Sequence, residues 1–159
     1  MEGLIAIFDH KNEAVRKVVE AIKFGFNRDL VGEVLAGWEL PKKLKKTILV
    51  PVPLHRLREN WRGFNQAELI ATHMGKKMTL VRGLVRTRAT AQQARTVNRG
   101  MRVENIKGAF GLGKEGEGLS GKRVILIDDV FTRGVTMREC ARVLRKAGVK
   151  QVWGLVLAR

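Results

Sequence analysis

Apolar residues along the chain fall into short continuous runs and helically spaced stripes, and the two kinds of segment alternate. Residues 4–8, Leu-Ile-Ala-Ile-Phe, form a run that predicts an edge strand. Ala14, Val15, Val18, Val19, Ile22 and Phe26 then recur at helical spacing, with Lys17, Glu20 and Lys23 between them. That pattern predicts an amphipathic helix over Glu13–Phe24. Asn27 and Asp29 offer N-caps for a second helix through about Ala36, and Pro41 with the basic cluster Lys42–Lys46 reads as a connecting loop. Thr47–Val52 is β-branched and apolar, ends in Pro51 and Pro53, and predicts a buried strand with a stiff exit. Leu54–Asn65 reads as a basic loop, Gln66–Lys77 as a helix and Thr79–Val85 as a strand.

Residues 86–105 are polar, basic and almost without apolar pattern, which predicts a long mobile loop. Ile106–Phe110 reads as a short strand, and Gly111–Gly121, with five glycines, as a turn. Arg123–Asp128 encloses the run Val124 to Ile127, a composition that suits a parallel strand covered on both faces. Met137, Cys140, Ala141, Leu144 and Ala147 mark a helix that stops at Gly148, and Gln151–Ala158 reads as the final strand. Strands alternating with helices imply an α/β fold with a mostly parallel central sheet flanked by helices. No repeat or linker divides residues 1–159, so one domain is expected.

Composition adds partners to this picture. Lysine and arginine number 31 against 15 acidic residues, giving a net charge of +16. Such a field favours polyanions: nucleic acid, polyphosphate or an anionic surface. The lone Cys140 excludes an internal disulfide framework and any cysteine-based zinc cluster within one chain. His10, His55 and His73 are far apart without a ligand pattern, so no protein-side metal site is expected. With no signal segment and no apolar run near 18 residues, the expectation is a cytoplasmic protein that does not insert into membranes.

The chemistry concentrates in Val124-Ile-Leu-Ile-Asp128-Asp129-Val-Phe-Thr132-Arg133-Gly134-Val135-Thr136. It is an apolar strand, two carboxylates, then a turn rich in hydroxyl and glycine that opens a helix. Ligands of open α/β sheets bind at the carboxyl ends of the strands. A helix N-terminus with backbone N–H groups and threonine hydroxyls suits phosphate, and Gly134 permits close approach. Two adjacent carboxylates can each accept a hydrogen bond from one of the vicinal hydroxyls of a ribose. Capping alone would also explain an acidic pair ahead of a helix.

This segment closely resembles the phosphoribosyl pyrophosphate motif of type I phosphoribosyltransferases. The resemblance implies ribose contacts from Asp128 and Asp129 and a 5′-phosphate turn from Thr132, Arg133, Gly134, Val135 and Thr136. Arg133 departs from the family, which usually carries a small hydroxyl residue there; it either adds charge or crowds the phosphate. Val50-Pro-Val-Pro-Leu-His-Arg-Leu-Arg-Glu-Asn-Trp-Arg-Gly-Phe-Asn-Gln66 resembles a signature of ComF/GntX-type proteins. Arg86-Thr-Arg-Ala-Thr-Ala-Gln-Gln93, with Arg99, Asn105 and Gly108-Ala-Phe110, resembles their flexible-loop region. The family often begins with a cysteine-rich zinc module, for which this sequence has no cysteines.

By that resemblance Arg56, Arg58 and Arg62 bind pyrophosphate, a role that guanidinium forks suit. The alternative is a solvated or nucleic-acid-binding loop. Magnesium would accompany phosphoribosyl pyrophosphate, held by ligand oxygens and water. Arg86, Arg88 and Gln92 would belong to a loop that closes over the reaction. Asp129 is the candidate acid–base residue. The expected function is binding of phosphoribosyl pyrophosphate and transfer or recognition of the phosphoribosyl group, with a link to DNA uptake. The rival is a non-catalytic regulator binding single-stranded DNA or a DNA-processing protein, and self-association stays open. Trp61 reads either as a loop anchor or as a stacking surface for a base.

Overall fold

A computed structural model describes the chain apart from residues 25–28, 75–77 and 89–104 and the side chains of 56–58. Its strands are β1 (Gly3–Phe8), β2 (Ile48–Pro51), β3 (Leu84–Arg86), β4 (Phe110–Leu112), β5 (Arg123–Val130) and β6 (Gln151–Ala158). The helices are α1 (Glu13–Phe24), α2 (Asp29–Val34), α3 (Arg56–Arg62), α4 (Gln66–Met74) and α5 (Val135–Lys146). Four strands form a parallel sheet in the order β1-β6-β5-β2, and β3 pairs antiparallel with β4 as a separate ribbon. This is the α/β class expected from the alternation of strands and helices, with a parallel central sheet flanked by helices.

The central strands carry apolar side chains on both faces because both faces are covered. On β5, Val124 and Leu126 join a core with Met137, Cys140 and Leu144 of α5, while Ile125 and Ile127 join Ile22, Val31 and Ile70 of α1, α2 and α4. Alternate residues thus serve opposite layers, as the pleat of a strand requires. In-register pairing of Asp128 with Val156 places the acidic pair at the carboxyl end of β5.

Three expectations need correction. Leu54–Asn65 is not all loop, since α3 occupies most of it; Leu57 and Trp61 stand four apart, a one-turn signal too short to register. Thr79–Val85 is not one strand. Leu80 makes a single parallel bridge to Leu49, and the chain then crosses at Gly83 to enter β3. A Cβ at Gly83 would lie 2.6 Å from Leu119, so this crossing is packed too tightly for a side chain. Finally, the strand expected at Ile106–Phe110 begins only at Phe110 and extends into the glycine segment. Asn105 and Ile106 are helical instead, and Ile106 is buried there, with the Ala109 N–H bonding the Ile106 carbonyl at 3.0 Å. The expected mobility of 86–105, the cap at Asn27 and the end of a helix at Lys77 fall wholly or largely outside the described residues.

Candidate functional site

The carboxyl ends of β2 and β5 open into a cavity of about 470 Å³. Its floor is the end of β5, one wall is the α3–α4 corner, and α1 contributes a second wall through Lys23. A second cavity of about 650 Å³ adjoins it, sharing Pro53, Leu54, Asn65 and Arg86.

Each carboxylate of the acidic pair is fixed by local backbone. Asp128 Oδ1 accepts the Asp129 N–H at 2.9 Å, and Asp129 Oδ1 accepts the Val130 N–H at 2.6 Å. Asp129 Oδ2 holds the Lys23 ammonium at 3.2 Å. Burial, and then the neighbouring Asp129 charge, push the Asp128 carboxyl up to about 7 from 3.8, against the opposing pull of Lys23 and Arg86. A carboxylate held this way gains from any ligand that donates hydrogen bonds to it.

Beyond the pair, the chain turns into α5 through Gly134, whose φ of 67° is left-handed. A Cβ there would overlap the Phe131 ring, so both dihedral and packing require glycine. Gly134, as the N-cap of α5, makes no side-chain cap bond. Asp128, Thr132, Gly134, Val135 and Thr136 help to bound a small cup of about 40 Å³ at this helix end. Arg133 lines the larger cavity and is not among the cup's lining residues, while its carbonyl accepts a hydrogen bond from the Arg138 guanidinium.

On the opposite wall, Asn65 fastens the α3–α4 corner to β2. Its amide donates to the Val52 carbonyl at 3.0 Å and accepts the Ala67 N–H at 3.0 Å, which caps α4. Arg62 donates to Gln66 Oε1 at 3.1 Å and lies over the Phe24 ring. Gln66 is only 1% exposed, and its Nε2 has no partner among the described residues. A buried unpaired donor on a cavity wall favours an acceptor-rich ligand. Arg56 and Arg58 lie on α3, with side chains outside the described residues.

Arg86 reaches both cavities and lies over Phe110. Arg88 instead donates to the carbonyls of Asn105 and Lys107, at 3.2 and 3.0 Å. It thereby joins the residues on either side of segment 89–104, which, with Gln92, lies outside the described residues. Sequence reasoning missed His10, Lys23, Asn65 and Gln66 as site residues, although all four line the cavity. Trp61 does not anchor a core: it is 64% exposed and meets Phe24 edge-on, with ring centroids 6.1 Å apart.

Residues 61–159 match the family model described as "Phosphoribosyl transferase domain". The chain belongs to that family. It is 35% identical to Competence protein F of Haemophilus influenzae over 114 residues, covering 69% of this chain and 50% of that protein. It is 33% identical to DNA utilization protein YhgH of Escherichia coli over 144 residues, covering 84% and 60%. Competence protein ComFC of Bacillus subtilis is 33% identical over 104 residues, covering 65% and 40%. The chain therefore spans about half the length of the curated relatives it matches. Among solved structures, glutamine phosphoribosylpyrophosphate amidotransferase of B. subtilis superposes with a TM-score of 0.53 at 22% identity, covering 87% of this chain and 30% of that one. With these relatives, the chain is a ComF-like protein on a phosphoribosyltransferase fold.

Proposed function

We propose that the cavity binds phosphoribosyl pyrophosphate and that the chain transfers or recognises its phosphoribosyl group. One observation carries this reading: the acidic pair at the end of β5 sits directly beside the glycine-started N-terminus of α5. Asp128 and Asp129 accept the ribose hydroxyls, and the cup from Thr132 to Thr136 takes the 5′-phosphate. Arg62 and Gln66 face the diphosphate, with Arg56 and Arg58 on the same helix as Arg62. Arg133 leaves the cup open and adds charge to the larger cavity.

In the transfer reaction, a nucleophile forms a bond to C1 of the ribose while the bond to pyrophosphate breaks. Positive charge develops at C1, and Asp129 is the candidate to steady it or to take the nucleophile's proton. Magnesium, when bound, would neutralise the leaving diphosphate. Among the described residues no group of three or more His, Cys, Asp or Glu is placed to hold a metal ion. Calorimetric titration of phosphoribosyl pyrophosphate with magnesium tests the reading. Wild type binds and Asp128→Asn does not; absence of binding by wild type overturns it.

A second reading is favoured by the exposed Phe24–Trp61 pair with Arg62 against it. Aromatic and guanidinium faces beside a +16 chain suit single-stranded nucleic acid, and the relatives' names concern competence and DNA utilization. On this reading the chain is a DNA-uptake component on a transferase fold. It predicts a steep salt dependence of DNA retention that Trp61→Ala weakens and Asp128→Asn leaves unchanged. Among the described residues no helix is long and apolar enough to cross a membrane. A cytoplasmic location is part of this proposal.

A further inference from the structure

Two carboxylates on consecutive residues, both half-buried, repel one another and need a counter-charge. Here that charge comes from the chain itself. Lys23 stands in the last turn of α1, and its ammonium reaches across the cavity to Asp129 Oδ2 at 3.2 Å. The side chains are only 24% and 16% exposed, so the pair is sheltered from solvent screening. Oδ1 of each aspartate is turned back onto a backbone N–H, and Lys23 already holds Asp129 Oδ2, one of the two oxygens left for a cation. An ammonium has three donors, so it can keep this contact and still donate to a sugar hydroxyl. It also repels a divalent ion brought to the same oxygen.

We propose that Lys23 is the built-in counter-cation of the Asp128–Asp129 pair, so that the sugar-phosphate end of the ligand binds without a metal ion. The proposal deepens the phosphoribosyl reading and rests on it. Metal dependence then belongs to the diphosphate end alone. Lys23 acts here as a positioning residue, fixing the orientation of Asp129.

The test uses the full chain and two probes. Ribose 5-phosphate, which lacks the diphosphate, is titrated calorimetrically in magnesium and in EDTA. Wild type is expected to bind equally in both, within about twofold, while Lys23→Gln weakens binding about tenfold in EDTA and recovers in magnesium. Lys23→Arg should retain the wild-type behaviour. In the second arm, Mn²⁺ alone is titrated against ligand-free protein and followed by its electron paramagnetic resonance signal. Lys23→Gln should gain a Mn²⁺ site that wild type lacks and that added Asp129→Asn removes.

Equal Mn²⁺ behaviour of wild type and Lys23→Gln would overturn the proposal, as would ribose 5-phosphate binding by wild type that requires magnesium. Failure of wild type to bind ribose 5-phosphate in either buffer would instead sink the phosphoribosyl reading. The Mn²⁺ arm, which needs no sugar, would still decide the role of Lys23.

Discussion

Replacing Asp128 by asparagine should stabilise the ligand-free protein, and by an amount that depends on pH. The substitution keeps the side chain's shape and removes an ionisation that the fold resists. Burial first, and the Asp129 charge second, raise the Asp128 carboxyl from 3.8 to about 7. Well below pH 3.8 the carboxyl is protonated in folded and unfolded chains alike, and its neutral form is close to asparagine. As pH rises the unfolded chain loses this proton first, so the folded state binds more protons and wild-type stability falls. The loss is complete once pH passes about 7. At about 1.4 kcal/mol per pH unit, the ceiling is about 4 kcal/mol. Asp128 keeps part of its surface open to the cavity, so water reduces the realised difference to about 1–3 kcal/mol. Urea unfolding of both proteins from pH 4 to 8 measures it. The gap in favour of Asp128→Asn should open between pH 4 and 7 and then stay level. A gap that is the same at pH 5 and pH 8 would refute the argument that the pair is held under electrostatic strain.

Three further substitutions probe the supports of the site. Gly134→Ala forces a side chain into a left-handed residue and against the Phe131 ring; a loss of about 1–3 kcal/mol is expected in thermal unfolding, together with loss of phosphate-ligand binding. Asn65→Ala removes the α4 cap and the tie to Val52, and should cost about 1–2 kcal/mol by denaturant titration. Glu139 on α5 accepts the Gly108 N–H at 2.7 Å and pairs with Arg142, whose hydrogen bonds hold its carboxyl below the usual range. Glu139→Gln should therefore speed hydrogen exchange at Gly108, and its destabilisation should appear at neutral pH and fade as pH falls into the range where Glu139 protonates.

Much of the fold was legible because periodicity reports burial. The stripes at Glu13–Phe24 and Met137–Leu144 became α1 and α5, and the run Val124–Ile127 became the doubly covered core of β5. Short elements were not legible, because their apolar content is too small to set a period. The sequence of α3 holds only Leu57 and Trp61 as large apolar residues, and β3 and β4 are three residues each. Ile106 misled for a related reason: it is buried at a helical residue packed on the core, which so short an apolar pattern cannot separate from a strand.

The sequence by itself determined the alternation of strands and helices, the acidic pair, and the hydroxyl–glycine turn after it. All of these are encoded within a few consecutive residues, where local sterics and hydrogen bonding decide the outcome. Only the tertiary structure decided which distant residues meet that turn. The amphipathic pattern of α1 assigns Lys23 to a polar face, but the packing of α1 on the sheet aims that face at Asp129. His10 and Gln66 reach the same cavity from other segments, and Gln66 gains its meaning from a burial that leaves one amide nitrogen unpaired. Residues separated by a hundred positions or more are brought together by sheet order and helix packing, which depend on the whole core and leave no mark in any local window.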